Sequence, residues 1–267
     1  MSTARQRWAR TPTTPWSVWK YCWIINHKIL RALEQASPHA RGTLLDVGCG
    51  TKGFARCFDG RVERYLGVDL PGSRYLDGAH PDAYARAEAL PVRGASVDTV
   101  LGLSIMTYMP DPLRTLEEMH RVLKPGGVLL LEFTQMAPLH DEPHDYFRFT
   151  RYGATSLLER AGFEPLEFIP IGGLWSRVGH SAIARLNRWN RGPLRILTEL
   201  PVRALYIVLQ IFFEAMERVF FDPRDVLSHL VVARRRPRGD RARFSGGASL
   251  ESSVRRDRKS TRLNSSH

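Results

Sequence analysis

The sequence predicts an α/β protein: a doubly wound, mostly parallel seven-stranded sheet with a helical block inserted before its last strand. Three observations carry this reading. Short apolar runs alternate with helical patterns between residues 43 and 171, as in successive strand–helix–strand units. The first run ends in Asp46-Val47-Gly48-Cys49-Gly50-Thr51-Lys52-Gly53, a glycine-rich turn that closes a strand and lets a ligand approach the backbone. After a helical block, residues 174–221, the chain returns to a strand-like run at 227–233. Crossovers in such a sheet are right-handed.

Residues 1–14 are basic and rich in Thr and Pro. A helical pattern covers 16–35, with Trp16, Trp19 and Trp23 on one face. That face either docks on the domain, covers a pocket or meets a membrane interface; Ser37-Pro38 ends the helix. Strand one is 43–47, followed by the glycine loop and a short helix at 54–58. Strand two, 64–68, is closed by Asp69, and Leu70-Pro71-Gly72 turns the chain. Residues 73–84 read as irregular and 85–89 as a candidate third strand. Strand four is 97–103. Leu113, Leu116, Met119, Val122 and Leu123 make the apolar stripe of a helix over 112–123, which Lys124-Pro125-Gly126-Gly127 stops. Strand five, 128–133, is apolar until Glu132; a polar and aromatic loop, 134–149, follows. Thr150 caps a helix that Gly162 ends, and 163–171 is a strand. The helical block has breaks at Gly192-Pro193 and Pro201. Its segment 204–213 is the most apolar of the chain but too short to cross a membrane, and Arg203, Glu214, Glu217 and Arg218 bracket it. It is either a helix buried on the sheet or at an interface, or an in-plane membrane helix.

The organisation is therefore an N-terminal extension and helix (1–39), a core (40–173), a helical insertion (174–225), a final strand (226–235) and a disordered tail (236–267). Residues 257–267 resemble the translation of a sequencing adapter and are set aside. The net charge of +12 does not point to nucleic acid. Residues 234–267 hold ten Arg and one Lys against three acids, so +8 sits in the tail and +4 in the other 233 residues. The core shows no basic stripe interleaved with aromatics, and nucleic-acid binding is not expected. Three scattered cysteines, Cys22, Cys49 and Cys57, lack zinc spacing and suit a reducing compartment, and no metal site is expected. The expected location is cytoplasmic, with peripheral contact to the inner membrane through 193–221 as the alternative.

Four stretches together resemble the class I S-adenosylmethionine-dependent methyltransferases, in particular the bacterial group similar to the ubiquinone-biosynthesis methyltransferases. They are LLDVGCGTKGF (44–54), YLGVDL (65–70), DTVLGLSIMTYMPDP (98–112) and LEEMHRVLKPGGVLLLEF (116–133). The resemblance covers about 40–172, and the returning strand fits the family's last, antiparallel one. It implies S-adenosyl-L-methionine as cofactor, with Asp46, Gly48, Gly50, Gly53, Asp69, Glu88 and Ser104 in its site. Asp46 suits the ligand's ammonium and Asp69 its two ribose hydroxyls. Two positions depart from the family pattern: Arg86 stands where an acid usually contacts adenine, leaving Glu88 to substitute, and Thr107-Tyr108 stands where Glu-His is common. A reductase would use the same ribose acid, so an NAD(P)-dependent oxidoreductase is a competing enzyme class. The R-V-L-K-P-G-G element (121–127) counts against it. The departures motivate another alternative, a non-catalytic cofactor-binding or scaffold protein.

Methyl transfer needs alignment more than covalent help from the protein. A hydroxyl acceptor needs a base, and histidine suits neutral pH. The 140–148 loop follows strand five and supplies the candidates: His144 or His140 as base, Asp145 to orient it, Arg148 to bind an anionic group. The bland alternative pairs Asp145 with Arg148 to hold the loop. The expected acceptor is a small molecule, lipid or glycan.

Overall fold

The computed structural model describes residues 22–190 and 195–236. Seven strands form one sheet: β1 (Thr43–Val47), β2 (Arg64–Asp69), β3 (Ala83–Tyr84), β4 (Val97–Gly102), β5 (Leu123–Thr134), β6 (Phe163–Ile171) and β7 (Ser228–Arg235). Their order is β3-β2-β1-β4-β5-β7-β6. Every pair from β3 to β5 is parallel, while β7 runs antiparallel to both β5 and β6. The expected fold class is borne out.

The sheet is covered on both faces, and β5 shows why its sequence is an unbroken apolar run. Leu129, Leu131 and Phe133 pack with Leu116, Met119, Ala154 and Leu158 of α2 (Pro112–Val122) and α3 (Arg151–Arg160). Val128 and Leu130 point the other way, to Ile29 and Leu33 of α1 (Trp23–Ala36) and to Phe58. Helix starts follow capping chemistry. The Arg114 N–H donates to Asp111 Oδ1 (3.1 Å) ahead of Pro112, and the Gly153 N–H to Thr150 Oγ1 (3.1 Å).

The inserted block is two helices, α4 (Leu174–Trp189) and α5 (Arg195–Val219). Its polar seam faces inward. Lys28 of α1 pairs with Glu214 (2.7 Å), and the Ser176 N–H in the first turn of α4 donates to Glu217 Oε2 (3.0 Å). A carboxylate from a neighbouring helix thus serves an N-terminal amide that α4 does not cap itself.

Several boundaries move. The third strand is the pair 83–84; residues 85–89, read as that strand, form a turn bridged between Arg86 and Ala89. The Ala-rich run has little strand preference, and β3 exists through its pairing with Val68 and Asp69. The short helix at 54–58 is a 3₁₀ turn, Ala55–Phe58. Pro201 does not break the block: α5 runs through it, with Pro201 on the exposed side, where water can serve the carbonyl its missing N–H leaves unpaired. Strand five begins earlier than expected. Leu123 pairs with Val97 and Val128 with Thr99, so Lys124-Pro125-Gly126-Gly127 bulges out opposite Asp98. Lys124 Nζ donates to both Asp98 oxygens (2.8 and 2.9 Å), and Arg41 to the Gly126 carbonyl (2.8 Å). Trp16, Trp19, Gly192-Pro193 and the expected disordered tail beyond residue 236 lie outside the described residues. Among those residues, no helix is long and apolar enough to cross a membrane.

Candidate active site

Strands β1, β2 and β4 are parallel, so the loops after them gather at one edge. The Gly48 and Cys49 N–H groups both donate to the Val68 carbonyl (2.9 and 3.1 Å), tying the glycine loop to β2. Gly48 has φ +74°, and a Cβ there would stand 2.3 Å from Ile105 Cγ2, so only glycine fits. Gly50 is also left-handed, and a Cβ there would lie 3.1 Å from the Tyr75 carbonyl oxygen. Gly53 is not among the left-handed residues: Lys52 takes that role, at φ +55°. Its ammonium reaches Asp82 (2.6 Å), which also accepts the Gly67 N–H (2.7 Å).

Asp69 closes β2 with its carboxylate fixed. Gly50 N–H donates to Oδ2 and Leu70 N–H to Oδ1, each at 2.7 Å, and each oxygen keeps a lone pair for a further donor. Asp46 lies deeper, 5% exposed, and accepts the Tyr65 hydroxyl (2.6 Å). Burial, helped by the nearby Asp69 charge, pushes its carboxyl up to about 7 against the opposing pull of the Tyr65 bond. Burial also lifts the Cys49 thiol to about 12, which removes it as a nucleophile.

Two other expected cofactor residues are placed differently. Ser104 donates through both N–H (3.0 Å) and hydroxyl (2.8 Å) to Glu132 Oε2, and Ser228 donates to Oε1 (2.7 Å). Glu132 therefore fastens the ends of β4, β5 and β7 together, and the Ser104 hydroxyl is committed to it. Glu88 sits in the turn after β3, its carboxylate 3.9 Å from the exposed Arg86 guanidinium. That turn starts beside the end of β2, since the Ala85 N–H donates to the Asp69 carbonyl (2.9 Å).

The loop after β5 meets the 3₁₀ turn Met106–Tyr108, where the Tyr146 N–H donates to the Thr107 carbonyl (2.9 Å). His140 is held at both ring nitrogens. Nδ1 lies 2.9 Å from the Pro138 carbonyl and 3.4 Å from Asp145 Oδ2; Nε2 lies 2.9 Å from the Tyr108 hydroxyl. A carbonyl can only accept, so in the neutral ring the proton sits on Nδ1 and Nε2 accepts from Tyr108. Burial, then the Tyr75 hydroxyl and the Asp145 charge, raise the Tyr108 phenol well above its ordinary value, so it enters any exchange as a neutral hydroxyl. Tyr75 reaches across from the segment beside Gly50 and, with Arg74, contacts Asp141.

His144 is not part of this group: it is exposed, with Nδ1 3.1 Å from the Tyr146 hydroxyl. Arg148 is not a free cation either. Its guanidinium forks onto Asp145 (2.5 and 2.8 Å) and donates to the Ala137 and Pro138 carbonyls (3.2 and 3.1 Å). That fork holds the Asp145 carboxyl down at about 2. The expected base and its orienting acid therefore come together as His140 and Asp145, while the expected anion binder is the loop's brace. Sequence reasoning missed Tyr65, Tyr75 and Glu132 as supports. Tyr75 lies in a stretch with no periodicity, and only the polar end of β5 marked Glu132. Among the described residues no cluster suits a metal ion.

Residues 45–131 match the family model described as a methyltransferase domain. An uncharacterized methyltransferase of Mycobacterium sp. (strain KMS) is 39% identical over 111 residues, 39% of this chain and 43% of that protein. The chain thus spans less than half the length of such mycobacterial relatives. The ubiquinone biosynthesis O-methyltransferase of Dinoroseobacter shibae is 28% identical over 182 residues, covering 55% and 71%. Among solved structures, an S-adenosylmethionine-dependent methyltransferase of Thermotoga maritima superposes with a TM-score of 0.50 at 17% identity, over 81% and 93% of the two chains. The [4+2]-cyclase SpnF gives 0.51 at 21%, over 78% and 80%. The fold is shared with a protein named for a different reaction, so the fold alone does not fix the chemistry.

Proposed function

We propose, from the match of residues 45–131 to a methyltransferase domain, that this chain transfers a methyl group from S-adenosylmethionine to a hydroxyl of a small-molecule, lipid or glycan acceptor. The observation that carries this reading is the carboxylate pair at the ends of adjacent strands β1 and β2, Asp46 and Asp69, facing a loop without Cβ atoms at 48 and 50. The donor set fits the group. Asp69 has lone pairs left for a ribose diol, Asp46 offers a buried carboxylate to an ammonium, and Gly48 and Gly50 leave room for the chain between them. The antiparallel β7 between β5 and β6 also separates this sheet from the 3-2-1-4-5-6 order of dinucleotide-binding domains.

When bound, the cofactor supplies an electrophilic methyl group. The protein's remaining task is the acceptor's proton, and Tyr108 with His140 is arranged to move it. As the acceptor oxygen attacks, its proton passes to Tyr108 Oη, and the Tyr108 proton passes to His140 Nε2. The resulting imidazolium is stabilised at Nδ1–H by the Pro138 carbonyl and the Asp145 carboxylate. Arg148 keeps Asp145 ionised for that purpose.

Calorimetry with S-adenosylmethionine and with NAD tests the cofactor: the sulfonium binds and NAD does not. NAD binding with no sulfonium binding overturns the reading. Release of S-adenosylhomocysteine across a panel of hydroxylated acceptors then tests the transfer, and binding without turnover favours a scaffold.

A further inference from the structure

The inserted helices leave an apolar face that the methyltransferase reading does not use. On α5, Leu205, Val208, Phe212 and Val219 recur at helical spacing and are 44–71% exposed; Ile211, 60% exposed, widens the row. Phe220 and Phe221, both exposed, continue it past the helix end, where Trp175 of α4 lies 6.4 Å from Phe220, ring to ring. A soluble surface rarely carries so many large apolar side chains together.

The charges around this face are mostly basic: Asp222, which follows Phe221, is paired with Arg224 (2.6 Å), and Asp225 is the exposed acid beyond it. Glu214 and Glu217 of α5 are buried against Lys28 and the Ser176 N–H. Glu199 is already paired with Arg203 (2.7 Å). Exposed besides these are Arg218 on α5, which also reaches Glu214 (3.4 Å), and Arg177, Arg185 and Arg188 on α4, a helix with no acid in its sequence. A broad apolar arc on a helix pair whose exposed charges are mostly arginines is the composition of helices lying in an anionic lipid interface. A paired coiled-coil seam would be narrower and flanked by charges of both signs. The block also begins and ends at the edge of the sheet that carries the candidate site. α4 leaves β6 and α5 returns to β7 at the sheet edge that carries the loop after β5, and the Gln135 and Met136 N–H groups donate to the Leu227 carbonyl (2.8 and 2.9 Å).

We infer that the outer face of α5, with the arginines of α4, docks this protein in the plane of an anionic membrane surface. Binding through this face needs no methyl transfer, so it stands or falls apart from the proposed activity.

Flotation of the full chain with vesicles of phosphatidylcholine alone and with 30% phosphatidylglycerol, at about 0.15 M salt, is the test. The chain is expected to float with the anionic vesicles and at least tenfold less with neutral ones. The doubly substituted Val208→Glu/Phe212→Glu chain, altered only at exposed positions, is expected to lose at least tenfold of that binding with an unchanged circular dichroism spectrum. Should that variant misfold, the milder Val208→Ser/Phe212→Ser pair is read instead, with the same loss expected. Equal flotation of wild type and variant overturns the inference, because the basic tail present in both would then be the anchor. It is also overturned if the wild type does not float, or if its sedimentation shows a dimer that the variant loses, since a second copy would then cover the face.

Discussion

The sheet's carboxyl edge has two halves built by different means. In the half proposed to hold the cofactor, the glycine loop is placed by its own backbone N–H groups: Gly48 and Cys49 on the Val68 carbonyl, Gly50 on Asp69. In the half proposed to meet the acceptor, side chains hold one another, Tyr108 on His140 and Tyr75 on Asp141 across distant segments and Arg148 on Asp145 within the loop. A half made from strand ends and glycines tolerates little change. A half made from loop side chains can be respecified without touching the sheet. On the proposed reading, this difference would let the acceptor half change while the cofactor half stays the same.

The sharpest way to break this division is at His140. If it takes the acceptor's proton, His140→Ala lowers kcat by about 10²–10⁴-fold and leaves cofactor affinity unchanged. Tyr108→Phe, which interrupts the relay but not the ring, gives a smaller loss of the same kind. Single-turnover rates beside calorimetric Kd values separate the halves; a matching loss of cofactor affinity would show that they are not separable.

The converse substitution, Asp69→Ala, removes two acceptors for ribose and leaves the Gly50 and Leu70 N–H groups without their carboxylate. The expected cost in cofactor affinity is about 1.5–3 kcal/mol, roughly 10–100-fold in Kd. At saturating cofactor kcat stays near the wild-type value. A fall in kcat at saturation would tie Asp69 to the acceptor half.

Asp46 sharpens the comparison through pH. Its folded value of about 7 lies above the 3.8 of an unperturbed carboxyl. Between about pH 4 and 7 the unfolded chain has released this proton while the fold keeps it. Stability of the ligand-free protein therefore falls as pH rises through that window and stays lower above it. Asp46→Asn removes the buried charge, so at pH 8 it raises ligand-free stability by about 1–3 kcal/mol while weakening cofactor binding. The same titration makes wild-type cofactor affinity fall as pH drops below about 7. Denaturant melts at pH 5 and pH 8 test the sign; a variant less stable than wild type at pH 8 contradicts it.

What the sequence made legible follows the same division. The succession of strands along the chain and the glycine loop come from patterns within ten residues, and apolar runs buried on both faces declare themselves. The third glycine of the loop, Gly53, is not the left-handed residue; Lys52 takes that conformation, with its side chain on Asp82. Ser104 lies at the right edge, yet its hydroxyl is spent on Glu132, a residue 28 positions away that no local pattern couples to it. The loop offered two histidines and one arginine of equal promise. Only the fold shows that His140 meets Tyr108 while Arg148 is consumed by Asp145 and two carbonyls.

The smallest expected effect belongs to the stretch that most strongly suggested the family. R-V-L-K-P-G-G lies at the amino end of β5, the edge opposite the candidate site. There Lys124 and the Thr43 N–H outweigh the effect of partial burial on Asp98 and draw its carboxyl below the ordinary value. Lys124 is about half exposed, so solvent screens the pair. Lys124→Met is expected to cost no more than about 0.5–1 kcal/mol of stability and to leave both cofactor Kd and kcat unchanged. The bulge it sits on joins α2 to β5, and Glu118 and Arg121 of that helix clamp Leu90 at its N–H (2.7 Å) and carbonyl (3.1 Å). A motif can therefore identify a family by fixing a helix–strand junction rather than by touching a ligand. A Lys124→Met protein that folds normally but fails to bind the cofactor would show that this junction, at the far end of the sheet, is coupled to the site.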